Sequence, residues 1–377
     1  MLISARFFVL LQPKTSTNEV FTPSMHKFLF KIFLLLTVFF VNSNMMMAQS
    51  DSVSLRPTFS VDMTSELQTD LDRWKWANLL ELHADVPLSR KFTFNFGSIS
   101  YYTNLEELLV DNLQFYSNMD AYNKAFALSV AGFTWQMNDR HSLFAGIRRM
   151  DEDYFCSDAL SLFTNSSCGG FPTLYYNYPV ATYPMASLGL HYVYDYKNIT
   201  LQASLYNGIS AWDLSGRENV FRFCPKTDGL FLASQLEYRH GDSHYYLGGS
   251  LYEGDFNVEE EPRKLRPSMW TYAEQALIPN LTLIGAYSHA FCEDDLCFDF
   301  VGVGAKYTLG LAEFGVFSDY MRTEGIFEEE ETIEEWATEI TCKISLTEFL
   351  SVQPVMHIIK YDGETNCAGV FRLNVSF

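Results

Sequence analysis

The sequence is short of positive charge. Its 377 residues carry 26 Lys and Arg against 46 Asp and Glu, a formal net charge of −20. A polyphosphate chain would be repelled, which argues against nucleic acid as a partner. Long apolar runs are also missing. Past residue 48, no stretch approaches the roughly 18 residues that a membrane-spanning helix needs. Neither GxSxG nor HExxH occurs, and none of the seven cysteines stands in a CxxC pair. The commonest signatures of a serine hydrolase, a zinc protease and a thiolate metal site are therefore absent. No cofactor, metal ligand set or catalytic residue is expected.

Aromatic residues, by contrast, are abundant: 32 Phe and 22 Tyr bring the aromatic share to 16%. Mean hydropathy is nevertheless close to zero, at −0.04. The chain is thus neither a polar acidic protein nor a bundle of apolar helices.

The N-terminal region supplies a compartment. From Met25, the basic residues His26, Lys27 and Lys31 precede an apolar run from Ile32 to Val41, then the small residue Ala48 before Gln49. This is the order of a secretory signal peptide, and ten apolar residues are too few to span a bilayer. Residues 1–24 lack that order and suggest a start assigned too early, so the mature chain is expected to begin near Gln49. In an exported chain an odd cysteine count cannot pair completely. Scattered thiols are expected, with at most two loop bridges, Cys156–Cys168 and Cys292–Cys297.

What recurs through the rest is alternation. In WKWANLLELHADV, Trp74, Trp76, Leu80, Leu82, Ala84 and Val86 share one face, and Lys75, Glu81, His83 and Asp85 the other. In GLFLASQLEYRH, Leu230, Leu232, Leu236 and Tyr238 oppose Gln235, Glu237 and Arg239. A period of two is that of a strand, not a helix. Fifteen such segments run from Arg73–Val86 to Ala368–Phe377, and a poorly patterned sixteenth is expected between Tyr101 and Met119. Residues 49–70 are left as an N-terminal extension and residues 71–377 as the barrel. About twenty residues per strand and connector, with short connectors such as Ile278–Leu281 alternating with long ones such as Arg149–Tyr183, suit a closed transmembrane antiparallel β-barrel of sixteen strands.

A secreted β-sandwich would also alternate. Charge at mid-strand on the non-apolar face, at Glu81, Glu237 and Glu274, weighs against it, because a packed core holds such groups only at high cost whereas a wet lumen holds them readily. Arg239 and Arg372 fall on the same inward rows. Phe377 ends the last strand on its apolar row, where a bilayer interface would keep it ordered; the closing strand resembles the C-terminal signal of bacterial outer-membrane proteins, which implies barrel assembly machinery as a partner.

Several blocks resemble the carbohydrate-selective porins of Gram-negative outer membranes: SLFTNSSCGGFPTL (Ser161–Leu174), YPMASLGLHYVY (Tyr183–Tyr194), YYLGGSLYEGDF (Tyr245–Phe256), YAEQ (Tyr272–Gln275) and SVQPVMHIIKYDG. Cys168 departs from the pattern, since a large apolar residue is expected before Gly169. The resemblance implies a sixteen-stranded barrel narrowed by infolded loops, and passive diffusion of small sugars. Outer-membrane lipids and lipopolysaccharide would surround it, and a trimer is one assembly the sequence leaves open.

The segment RRMDEDYFCSDALSLF holds the constriction candidates Arg148, Arg149, Glu152, Asp153, Tyr154 and Asp158. Two uses of its charges stay open: lining a pore, or capping an external loop that binds divalent ions at the lipopolysaccharide surface. Arg148 in particular should project inward with its guanidinium free for solute hydroxyls. The acidic run Glu328–Glu331, with Glu334 and Glu335, reads as a solvated outer loop. Asn198-Ile-Thr200 and Asn374-Val-Ser376 match a glycosylation pattern but lie on expected strands.

Two other function classes compete. A barrel hydrolase needs a nucleophile beside a base, but in Asp139-Arg140-His141-Ser142 adjacent strand residues point to opposite faces. An adhesin or receptor barrel would bind through its long loops.

Overall fold

The computed structural model describes residues 56–254, 264–293, 295–323 and 332–377. Sixteen strands run in chain order: β1 Thr58–Thr69, β2 Trp74–Pro87, β3 Phe92–Thr103, β4 Lys124–Asn138, β5 His141–Arg148, β6 Ser187–Tyr196, β7 Ile199–Asn207 and β8 Leu230–His240. They continue with β9 Ser243–Gly254, β10 Lys264–Ile278, β11 Leu281–Ala290, β12 Cys297–Leu309, β13 Ala312–Thr323, β14 Ile333–Ser345, β15 Leu350–Tyr361 and β16 Glu364–Ser376. Each pairs antiparallel with its chain neighbours, and β1 closes on β16 with Glu66 opposite Arg372. Closure leaves no edge strand to recruit another chain. No helix among the described residues is long and apolar enough to cross a membrane; a barrel crosses with strands.

The alternation decides which face is which. Trp74, Trp76, Phe133, Leu247, Val303, Phe314, Trp336 and Phe371 point outward and stay exposed. A soluble protein would aggregate through so large an apolar surface, whereas a bilayer solvates it. Aromatic pairs mark both rims of this band. Phe92 stacks on Trp135 at 6.0 Å and Phe349 on Phe377 at 5.7 Å at the short-turn end, and Tyr320 meets Trp336 at 4.8 Å near the other. Phe377 is tied to β1 through both backbone hydrogen bonds with Val61.

Turns of two residues join β10 to β11 and β12 to β13, as the spacing anticipates. In the second, Gly310 takes a φ of 62°, the left-handed region that two-residue hairpin turns demand.

Three expectations need correction. The sixteenth strand is not in Tyr101–Met119 but is Thr58–Thr69, so the barrel begins inside the stretch read as an extension. That strand does alternate, but its outward row of Phe59, Val61, Met63, Ser65 and Leu67 is interrupted by Ser65, which weakens the signal. Residues 104–123 instead fold into the lumen, where Leu109, Val110 and Leu113 are buried. The cysteines are the scattered thiols expected: all seven are free, and neither loop bridge forms. Finally, Glu335 is not on a solvated loop: it lies on β14 and is fully buried, while Glu334 faces outward beside Tyr320. The run Glu328–Glu331 and the signal-like segment lie outside the described residues.

Candidate functional site: the lumen and its infolded loops

Among the described residues, two connections enter the lumen. Residues 149–186 leave β5 in a tight turn, Met150–Glu152, and cross to the far wall. The Ala159 N–H donates to Glu274 at 2.6 Å, and Gln353 donates to the Leu162 carbonyl at 2.6 Å. Thr164 and Asn165 both donate backbone N–H to Glu339 at 2.9 Å, while the Asn165 amide donates to Asp319 at 2.8 Å. The segment then returns through helix α1, Pro172–Tyr175, where Thr173 meets Ser288 at 2.7 Å, and closes with Met150 N–H on the Ala181 carbonyl. A chain lying inside a barrel has no sheet of its own, so its polar backbone must find partners on the wall. Carboxylates suit that task because they accept at four sites and donate none.

Residues 104–123 run along β1–β3 and reach β14. Glu335 accepts the N–H groups of Leu113 and Gln114. Glu66 accepts from Ser117 at 2.7 Å, and Asp120 pairs with the buried Lys75 at 3.0 Å.

Aromatic side chains seal the loops against the wall from mid-barrel to the long-connection end. Phe155 packs on Trp270 at 5.2 Å, Phe171 on Phe300 at 5.2 Å and Phe163 on Phe317 at 5.3 Å. Tyr154 is buried here too, its hydroxyl 2.8 Å from Ser204. These rings hold the loop in place and are not a surface open to solute. Cys168, where a large apolar residue is expected, is likewise buried and acts as a small apolar group.

Toward the short-turn end the lumen is polar. A cavity of about 210 Å³ is lined by Glu152, Asp153, Gln202, Gln235, Glu237 and Tyr246 among others. Arg148 projects inward as expected, but its guanidinium is not free: Nε and Nη2 both donate to the Asp153 carboxylate at 2.5 Å, with the Phe144 ring 5.1 Å away. Arg149 sits among Glu152 at 3.1 Å, Glu81 at 3.5 Å and Asp151 at 3.8 Å. Burial alone would lower its pKa; these three carboxylates overrule it and raise it. Burial pushes the Glu152 carboxyl up to about 7, even though Arg149 and Arg148 pull the other way.

The remaining candidates separate. Glu237 and Arg239 pair at 3.1 Å at the short-turn rim, with Asp195 at 2.8 Å from Arg239 and His244 at 2.8 Å from Glu237. Asp158 exposes its side chain, and its carbonyl accepts from Lys306. Glu274 is buried as a loop anchor, and Arg372 is held by Glu66 and Asn118. Sequence reading missed Glu66, Asp120, Asp319, Glu335 and Glu339 as members of this interior. The signal was present, since Glu335 and Glu339 share one row of β14 opposite Trp336 and Ile340.

A closed sixteen-stranded antiparallel barrel, apolar outside and with long connections folded inward, has the fold of the outer-membrane porins. Among solved structures it is similar to OmpT of Vibrio cholerae with loop L8 deleted, an outer membrane protein (TM-score 0.59, 9% identity, 85% of this chain and 99% of that one). It is also similar to an anion-selective porin from Comamonas acidovorans (0.58, 11%, 85% and 99%) and to OprB of Pseudomonas putida at low pH (0.53, 14%, 85% and 92%). No protein-family model and no curated protein matches the sequence. The likeness is therefore one of fold.

Proposed function

We propose that the protein resides in an outer membrane and lets small polar solutes, sugars foremost, diffuse passively through its lumen. The observation that carries this reading is the polar cavity between the infolded loop and the inner faces of β7 and β8, inside a barrel whose exterior is apolar. Hydroxyl-rich solutes exchange water for the amides of Gln202 and Gln235 and the carboxylates of Glu152 and Glu237, and the pore width decides what passes. The blocks resembling carbohydrate-selective porins support sugars as the favoured class, and in-vitro folded OmpT of Vibrio cholerae, an outer membrane protein of similar fold, is described in a trimer form. Association of this chain as a trimer belongs to the same proposal.

Liposome swelling tests it. Vesicles holding the refolded chain should swell in monosaccharides faster than in disaccharides, with no lipid hydrolysis. Vesicles impermeable to every small solute would overturn the reading and favour a receptor barrel, which the packed outer half of the lumen would also suit.

A further inference from the structure

We infer that the two infolded connections form a single plug hung from β14 by Glu335 and Glu339, and that these two carboxylates set how wide the lumen stands open; the second half of this inference rests on the diffusion reading above. Glu335 and Glu339 lie four residues apart on one inward row, about 13 Å along the strand. Glu335 holds residues 113–114 of the first loop and Glu339 holds residues 164–165 of the second. Between those anchor points the loops are bonded to each other. Asn118 N–H donates to the Thr164 carbonyl at 2.7 Å and Ser166 N–H to the Phe115 carbonyl at 3.0 Å. The Thr164 hydroxyl donates to the Tyr116 carbonyl, and Ser167 donates to Gln114 at 2.7 Å.

The anchors and the plug depend on each other. Both carboxylates are essentially inaccessible, at 0% and 1% exposure, with Asp319 on the adjacent strand. A buried anion is tolerable only where charge-assisted hydrogen bonds replace its water. Withdrawal of either loop would leave a bare carboxylate, so the loops are held where N–H pairs converge on it. At Glu335 each oxygen takes a separate N–H, so the NH₂ of a glutamine would confront one of them; at Glu339 one oxygen accepts from both Thr164 and Asn165, so glutamine there removes the charge assistance instead.

The test uses the full chain, refolded and checked for heat-modifiable migration, as Glu335→Gln, Glu339→Gln and, as an outward-facing control on the same strand, Glu334→Gln. Amide hydrogen exchange is read at residues 113–118 and 164–167, and single-channel conductance in planar bilayers. Glu335→Gln should speed exchange by at least about tenfold in both groups, although it touches only the first. Conductance should rise in both inward variants and stay unchanged in Glu334→Gln. Faster exchange confined to residues 113–118 would overturn the single plug, and unchanged exchange in both variants would overturn the anchors. Loosened loops with unaltered conductance would overturn the control of bore. A loosened protein that conducts nothing, with a wild type that also conducts nothing, would sink the diffusion reading and leave the plug standing. If Glu335→Gln does not fold, Glu335→Asp, which keeps the charge and shortens the reach, should show the same coupled loosening.

Discussion

Glu335 and Glu237 are the same residue type on the same inward-facing rows, yet the lumen treats them differently. Glu335, like Glu339, is buried in the half packed by aromatic rings and spends its oxygens on loop N–H groups. Glu237, like Glu81 and Glu152, stands in the polar half, partly exposed and paired with cations. Inward charge in a barrel strand therefore has two uses, and the neighbouring loop decides which. In the first half, charge substitutes for the sheet that an infolded chain lacks. In the second, it meets water and whatever passes.

The largest effect should come from emptying the packed half. Trp270 is fully buried, lies against Phe155 and donates its indole N–H to Gln235 at 2.9 Å. Trp270→Ala should cost about 3–5 kcal/mol, the range for deleting a large buried ring. A lower temperature for loss of heat-modifiable migration would report it. A matched pair of glycines sharpens the comparison. A Cβ at Gly248 would stand 2.2 Å from the Trp270 indole, whereas one at Gly285 meets nothing within 4 Å. Gly248→Ala should reproduce part of the Trp270 loss and Gly285→Ala should not. Equal behaviour of the two would break the claim that aromatic packing holds this half.

Next comes Arg148 in the polar half. Because its fork already holds Asp153, Arg148→Ala does not simply widen an aperture; it strands a carboxylate whose side chain is only 6% exposed. Removing one partner of a buried pair costs a few kcal/mol, less here because Arg148 itself is 21% exposed. Bilayer recordings should show noisier openings and stronger cation preference, and Arg148→Ala with Asp153→Asn should restore quiet openings. A double variant as noisy as the single one would show that the pair is not the cause.

The difference between the halves also marks what was legible in the sequence. Alternation placed Glu81, Glu237, Glu274 and Arg372 on the inward side, because a period of two is written directly in residue order. It gave fifteen strands and their short turns. β1 escaped because Ser65 interrupts its apolar row, and Tyr101–Met119 reads as strand because its leucines serve the lumen as well as a lipid face. The partner of each inward charge was not legible. Glu339 meets Thr164 across 175 positions of chain, and nothing local in either segment specifies that contact.

A smaller effect is expected from pH. Glu152 borders the cavity and loses its proton near pH 7, against an ordinary 4.5, because burial disfavours the anion. The folded state thus binds this proton more tightly than the unfolded one. Its contribution to stability falls as pH rises from 4.5 to about 7 and is constant beyond. The lumen gains one negative charge over the same window. Reversal potentials in a salt gradient should shift toward cation preference between about pH 6 and about pH 8. Glu152→Gln should flatten that shift; a shift of the same size in the variant would assign it to another group.

The smallest change in stability should come from an aromatic on the other side of the wall. Phe377 is 64% exposed and stacks on Phe349 at the short-turn rim, so it lacks the enclosure that makes Trp270 costly to remove. A charge on the lipid face costs a few kcal/mol at the bilayer midplane but about 0–1 near the interface, where this residue sits. Phe377→Asp should therefore leave the unfolding temperature of the assembled barrel nearly unchanged. Its backbone bonds to Val61 need no side chain and would persist. Assembly is a separate matter: we propose that insertion machinery reads the apolar row of β16 on which Phe377 lies. Cells expressing Phe377→Asp should hold less heat-modifiable barrel than those expressing Phe349→Ala, which removes the same stacked pair from the other side. Equal yields of the two would reduce Phe377 to a rim contact, and a large drop in unfolding temperature would place it deeper in the membrane than its position on β16 implies.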